Sequence, residues 1–250
     1  VPDWPHLGHA LGRWPVTLSP DAVTVWRVGS VAINATLAFT WLVMVLLAVG
    51  AWLVTRGLAS QARPALPHTM VEMLVTFVLN QIRDVTEQDP EPYLPFVGTL
   101  FVFIAACNVL TIVPGFMPPT ASLSTTAALA LSVLVAVPAF GIARLGVVGY
   151  LRAYLRPTPW MLPFKLVSEA SRTLALAVRL FGNIMSGTVI VAILVSIAPL
   201  LFPAVMQAFG LLIGVIQAYI FAILAIVYIA SGTSVQAGGN RSGNGRGVSE

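Results

Sequence analysis

The run Leu174-Ala175-Leu176-Ala177-Val178-Arg179-Leu180-Phe181-Gly182-Asn183 sets an arginine in the middle of a long apolar stretch. Such a stretch reads as a membrane-spanning helix, and a guanidinium at the bilayer centre costs about 3 kcal/mol or more. Arginine cannot shed its proton, because its pKa lies above about 12. The side chain must therefore face a protein partner, a water-filled cavity or a counter-charge.

Composition agrees with a membrane setting. Of 250 residues, 58% are hydrophobic and 9% charged, whereas soluble domains carry about 25% charged residues. The apolar segments are continuous, unlike the alternating pieces of about 10 residues in a transmembrane β-barrel. The fold class expected is an all-α integral membrane protein. The net charge of +4 comes from scattered basic residues that flank apolar runs, so no nucleic-acid partner is expected. Cys107 is the only cysteine, which rules out a disulfide framework and a cysteine metal site.

Five spans and one amphipathic helix account for most of the chain. Residues 1–30, with Trp4, Trp14 and Trp26 among prolines, read as an irregular interfacial segment. Val1-Pro2-Asp3-Trp4 does not open like a signal peptide. Spans are expected at Val31 to Val54, Leu94 to Val113, and Leu123 to Ile142, with Pro138 a candidate kink. Two longer ones follow at Pro163 to Ile197 and Pro203 to Ala230. Both exceed the hydrocarbon thickness of about 30 Å and must tilt. They form an antiparallel hairpin around Pro199 and Pro203. His68 to Arg83 mixes apolar residues at helical spacing with Glu72, Thr76, Asn80 and Gln81, and is expected to lie on the membrane. Residues 31–231 form one membrane domain, and 232–250, rich in Gly, Ser and Asn, a flexible tail.

Basic residues set the orientation. Arg56, Arg63 and Arg83 follow span one, Arg144, Arg152 and Arg156 follow span three, and Arg241 and Arg246 follow the last span. These loops fall on one side, the cytoplasmic one. The N-terminus is then outside and the C-terminus inside. The expected location is a bacterial plasma membrane.

A polar seam runs along the fourth span. Lys165, Glu169, Arg172, Arg179, Asn183 and Ser186 recur at steps of three, four or seven and stack on one helix face. Lys165, Glu169 and Arg172 also suit a plainer role as snorkelling interfacial anchors. On the last helix, Gln207, Gly210, Gly214 and Gln217 form a second seam, continued by Tyr228 and Ser231. Small residues there allow close helix approach. Gln217 needs a polar partner, and Arg179 at similar depth is the natural one. A fixed intramembrane cation can lower the pKa of a carboxylate that arrives from another subunit, and it repels passing cations.

Leu176-Ala177-Val178-Arg179-Leu180-Phe181-Gly182-Asn183 closely resembles the signature of subunit a of F-type ATP synthases. Ile216-Gln217-Ala218-Tyr219-Ile220-Phe221 and Ala225-Ile226-Val227-Tyr228 resemble that family's last-helix motif. The Glu72 helix, Asn108-Val109-Leu110 and Thr125 to Leu131 match in order. The resemblance covers roughly residues 31 to 231. It implies a stator subunit of the Fo motor, with two half-channels that carry H⁺ to and from the carboxylates of a ring of c subunits. Arg179 would be the essential arginine, with Asn183, Gln217, Ser186, Thr188, Glu169, Arg172, Ser168, Lys165 and Tyr228 along the ion path. The implied partners are the c-ring, the peripheral-stalk b subunits, the F1 sector indirectly, and lipid. No cofactor or metal is implied, and catalysis of ATP synthesis belongs to partner subunits.

The sequence departs from the family at several points. Thr188 stands where an acidic residue or histidine is common, Gly210 where some members have histidine, Lys165 for a frequent glutamate and Thr111 where some have aspartate. Na⁺ coupling is therefore an alternative, since Na⁺ needs oxygen ligands and water. A stand-alone transporter that uses Arg179 to bind an anion is a second alternative, although internal repeats are not evident. An intramembrane enzyme lacks the inventory: His6, His9 and His68 lie outside the spans and no phosphate-binding Gly-rich loop occurs.

Overall fold

Continuous apolar runs bounded by Pro, Gly and charged residues give helices here, because only a helix satisfies its own backbone in hydrocarbon. The computed structural model describes residues 24–28, 31–57, 66–86, 89–113, 116–155, 160, 162–197 and 201–234. A short antiparallel hairpin, β1 (Thr24–Val28) and β2 (Val31–Asn34), precedes six helices. These are α1 (Ala35–Gly57), α2 (Leu66–Thr86), α3 (Leu94–Val109), α4 (Leu123–Leu155), α5 (Leu162–Ile197) and α6 (Leu201–Ser234). Two 3-10 turns, Leu110–Ile112 and Pro119–Ala121, lie between α3 and α4. Among the described residues, α1, α3, α4, α5 and α6 are long and apolar enough to cross a membrane. The chain is an all-α, multi-pass integral membrane protein with α2 as its amphipathic helix.

Two segments differ from the sequence expectation. The first span starts at Ala35, because Val31–Asn34 pair with β1, with Val31 opposite Val28 and Ala32 opposite Arg27. Val, Thr and Ile at these positions favour extended backbone. Residues 1–23 of the expected interfacial segment lie outside the described residues, as do 235–250 of the expected tail. The third span runs Leu123–Arg144, close to the expected Leu123 to Ile142, with Pro138 inside the helix. What differs is the segment read as a basic loop: beyond the non-helical Gly146 at φ +70°, a further helical piece continues to Leu155. Positive φ is open to glycine at little cost, so the chain turns there.

α6 is the hub, packing on α2, α3, α4 and α5. Its buried stripe, Gln217, Ala218, Phe221, Ala222, Ala225, Ile226 and Ile229, repeats at three and four. It meets Ile82 of α2, Val97 and Ile104 of α3, Val133 and Val137 of α4, and Leu176 and Leu180 of α5 in one core. α2 is tied in by polar and aromatic contacts. Tyr219 Oη donates to Gln81 Oε1 at 2.7 Å, and the Phe77 ring lies 5.8 Å from that of Tyr219 and 6.4 Å from that of Phe101.

The α3–α6 contact is held by side-chain amides. Asn108 Nδ2 donates to the Gly214 carbonyl at 2.9 Å, and Gln207 Nε2 donates to the Thr111 carbonyl at 2.7 Å. Gly214 is required for the approach: a Cβ there would lie 2.7 Å from Asn108 Cγ. Gly210, one turn earlier, has nothing within 4 Å of the same position. Gly214→Ala is expected to destabilise the folded subunit by about 1–3 kcal/mol through overpacking. Gly210→Ala is expected to be neutral or slightly stabilising, since alanine favours helix. Thermal unfolding in detergent, comparing the two variants, checks both.

Candidate functional site

The seam on α5 falls where two helical faces meet. Leu176, Ala177 and Leu180 are buried against the bundle, while Arg179, Arg172, Ser168 and Ser186 are exposed. At about 100° per residue, Arg179 sits a quarter turn or more round from Leu180. It lies at the midpoint of the apolar span Pro163–Val195, in which only Leu176, Ala177 and Leu180 are buried inside the subunit. No described residue gives Arg179 a hydrogen bond or ion pair. The sequence from Leu180 to Asn240 contains no Asp, Glu, Lys, Arg or His. Among the described residues, Arg179 is therefore an outward-facing cation at mid-helix without a counter-charge.

The rest of the seam divides by depth. Towards the N-terminal end of α5, Lys165 and Glu169 are half-buried and Ser168 is exposed. The Arg172 guanidinium stacks 5.7 Å from the centre of the Tyr228 ring of α6, a cation–π contact that fixes helix register. Beyond Arg179, Asn183 is half-buried and its carbonyl accepts from Ser186 Oγ at 3.0 Å. Thr188 Oγ1 donates to the Met185 carbonyl at 2.8 Å. Both hydroxyls spend their protons on their own helix and keep lone pairs free for a donor.

Gln217 is 6% exposed, and its Nε2 has no hydrogen-bond partner among the described residues. Asn183 lies eleven residues after Arg172 and Gln217 eleven before Tyr228. The antiparallel register that stacks Arg172 on Tyr228 thus sets Gln217 level with Asn183. Arg179 is four residues away, about 6 Å along the axis. No hydrogen bond joins Arg179 to Gln217, contrary to the pairing expected from sequence. The reason is rotational: Gln217 lies on the inner stripe of α6, whereas Arg179 points out of the bundle. The neighbouring Gly214 and Gln207 serve as glue to α3 and take no part in this seam.

Tyr150 escaped the sequence reading. Nine residues of straight helix would hold it about 13 Å from Gly141, yet its ring covers Gly141 so closely that a Cβ there would collide. The positive-φ Gly146 makes this possible by breaking the helix between them. The pair of glycines was the only local signal. Burial raises the Tyr150 phenol above its usual pKa, and the negative charge of Glu169 raises it further. The phenol therefore stays protonated through neutral pH. Near the same helix end, the Arg144 guanidinium lies 5.6 Å from the Tyr93 ring centre.

An orphaned buried amide destabilises a fold. Gln217→Leu is accordingly expected to leave the isolated subunit as stable as the parent or more so, by up to about 1–3 kcal/mol. Thermal unfolding in detergent measures this, and a marked loss of stability would reveal an internal partner for the amide.

The sequence model of the ATP synthase A chain family matches residues 37–230. The chain is similar to ATP synthase subunit a 2 of Acaryochloris marina, 55% identical over 218 residues, 87% of this chain and 93% of that one. It is 56% identical to ATP synthase subunit a 1 of Chlorobaculum parvum over 216 residues, 86% of this chain and 96% of that one. It is 54% identical to ATP synthase subunit a of Albidiferax ferrireducens over 216 residues, 86% of this chain and 94% of that one.

Proposed function

The chain belongs to the ATP synthase subunit a family, and we propose that it is the stator subunit of the Fo motor, with Arg179 as its essential intramembrane arginine. The observation that carries this reading is a guanidinium at the midpoint of a span, turned away from its own subunit and without a partner among the described residues. A cation so placed calls for a carboxylate delivered from outside. In a rotary ATP synthase that group belongs to the ring of c subunits.

The exposed face of α5 suits such an approach. Ser168, Ala175, Gly182 and Ser186 share it with Arg179, all exposed and all small. Gly182 has open space where a Cβ would sit. Small side chains let a partner helix come close enough for its carboxylate to reach the guanidinium. A carboxylate beside Arg179 loses its cation, because the opposite charge favours the ionised form. It regains one after it has moved past. The positive charge also blocks direct leakage between the two access paths.

In this reading the inner half-channel runs along Lys165, Ser168, Glu169 and Arg172, with Tyr228 fixing Arg172. The outer half-channel runs past Asn183, Ser186, Thr188 and Gln217, whose unpartnered amide donates to water in the path. H⁺ is the coupling ion carried, with Na⁺ the alternative that the neutral outer residues admit. The N-terminus is outside and the C-terminus cytoplasmic. The peripheral stalk holds the subunit against the torque of the ring, and ATP is made elsewhere in the complex.

In vesicles containing the whole complex, Arg179→Ala is expected to reduce ion-driven ATP synthesis to the background of uncoupled vesicles, with the complex still assembled. Wild-type rates in that variant would overturn the role of Arg179 and favour a transporter without partners.

A further inference from the structure

The 3-10 turn Pro119–Ala121 joins two spans, yet all three of its residues are buried. It packs on α1, α3, α4 and α5 together. Connecting segments normally run over the surface, since a buried one strands polar groups. Thr120 is the group stranded here. It is 0% exposed, and its Oγ1 has no hydrogen-bond partner among the described residues.

Its neighbours are accounted for by the start of α4. Ser122 Oγ accepts from the Ser124 backbone N–H at 3.2 Å, a helix cap, and shares a 2.6 Å hydrogen bond with Ser124 Oγ. Thr126 Oγ1 donates to the Leu123 carbonyl at 3.1 Å. None of these uses Thr120. Valine would fill the same volume without leaving a buried hydroxyl unmatched. A threonine here makes sense if something polar passes it.

The location says what that is. Thr111, just after α3, accepts from Gln207 near the start of α6, and the Arg172–Tyr228 stack sets α6 antiparallel to α5, so the end of the bundle that holds the α3–α4 connection also holds the C-terminal half of α5. The turn at the start of α4 therefore meets the C-terminal half of α5, which carries Asn183, Ser186 and Thr188. From Leu94 to Ala143, and again from Leu180 to Asn240, the sequence holds no Asp, Glu, Lys, Arg or His. Polar side chains in this half of the bundle are overwhelmingly hydroxyls and amides, which suit water and a hydrated cation. Resting on the stator role above, we propose that Thr120 lines the outer half-channel, its hydroxyl holding the water that accompanies the coupling cation.

The test uses the whole complex in vesicles, with Thr120→Val, Thr120→Ser and Arg179→Ala side by side. Ion-driven ATP synthesis is expected to fall about five-fold in Thr120→Val, the scale of one lost hydrogen bond. Thr120→Ser should stay near the parent rate. Parent-like synthesis in an assembled Thr120→Val complex overturns the proposal. Should Thr120→Val fail to assemble, Thr120→Cys in a Cys107→Ala background takes its place, with Ag⁺ added on the outer side. Inhibition specific to the Thr120→Cys complex supports the path, and insensitivity overturns it. If Arg179→Ala blocks coupling while Thr120→Val does not, this inference fails and the stator role stands. If Arg179→Ala still couples, the stator role itself fails.

Discussion

An arginine that no described residue of its own subunit neutralises governs the rest of this structure. At mid-span, a bare guanidinium in lipid costs about 3 kcal/mol or more, comparable to a large share of a marginal folding free energy. No described residue offsets that cost, since Arg179 faces away from the core that holds Leu176 and Leu180. On the stator role proposed above, a partner's carboxylate would offset it. The poverty of internal contacts along α5, the most thinly buried of the five spans, is the same fact seen from the helix.

Such an exposed helix needs a firm support, and α6 supplies it. Its inner stripe reaches four other helices, and its N-terminal half is stitched to α3 by two amide-to-carbonyl hydrogen bonds. Neutral amides are an economical choice in hydrocarbon: each satisfies a polar group across a helix pair without introducing a charge. The Arg172–Tyr228 stack then locks α5 to α6 in register, so the depth of Arg179 relative to Gln217 is fixed by contacts on both sides. On the stator role proposed above, that rigidity matters, because an opposite charge shifts a carboxylate's ionisation only at short range.

Much of this was legible in the residues. Continuous apolar runs located all five spans, and the amphipathic pattern located α2, because hydropathy and helical period are local properties. The polar seam was visible as spacing alone. What escaped depends on rotation and on backbone reversal. Spacing placed Gln217 near Arg179 in depth, but only packing shows that one faces inward and the other outward. The Tyr150–Gly141 contact depends on a positive φ at Gly146, in a segment that reads as a basic loop. The β1–β2 pairing displaced the start of the first span by a few residues, since valine and isoleucine serve a strand as well as a span.

The most direct measurement is a structure of the complete complex by electron cryomicroscopy, reading the distance from the Arg179 guanidinium to the nearest carboxylate of a neighbouring subunit. The account predicts a carboxylate within about 4–6 Å at some position of the ring, close enough to shift its ionisation. An Arg179 turned inward onto Gln217, with no partner carboxylate near its face of α5, would contradict it.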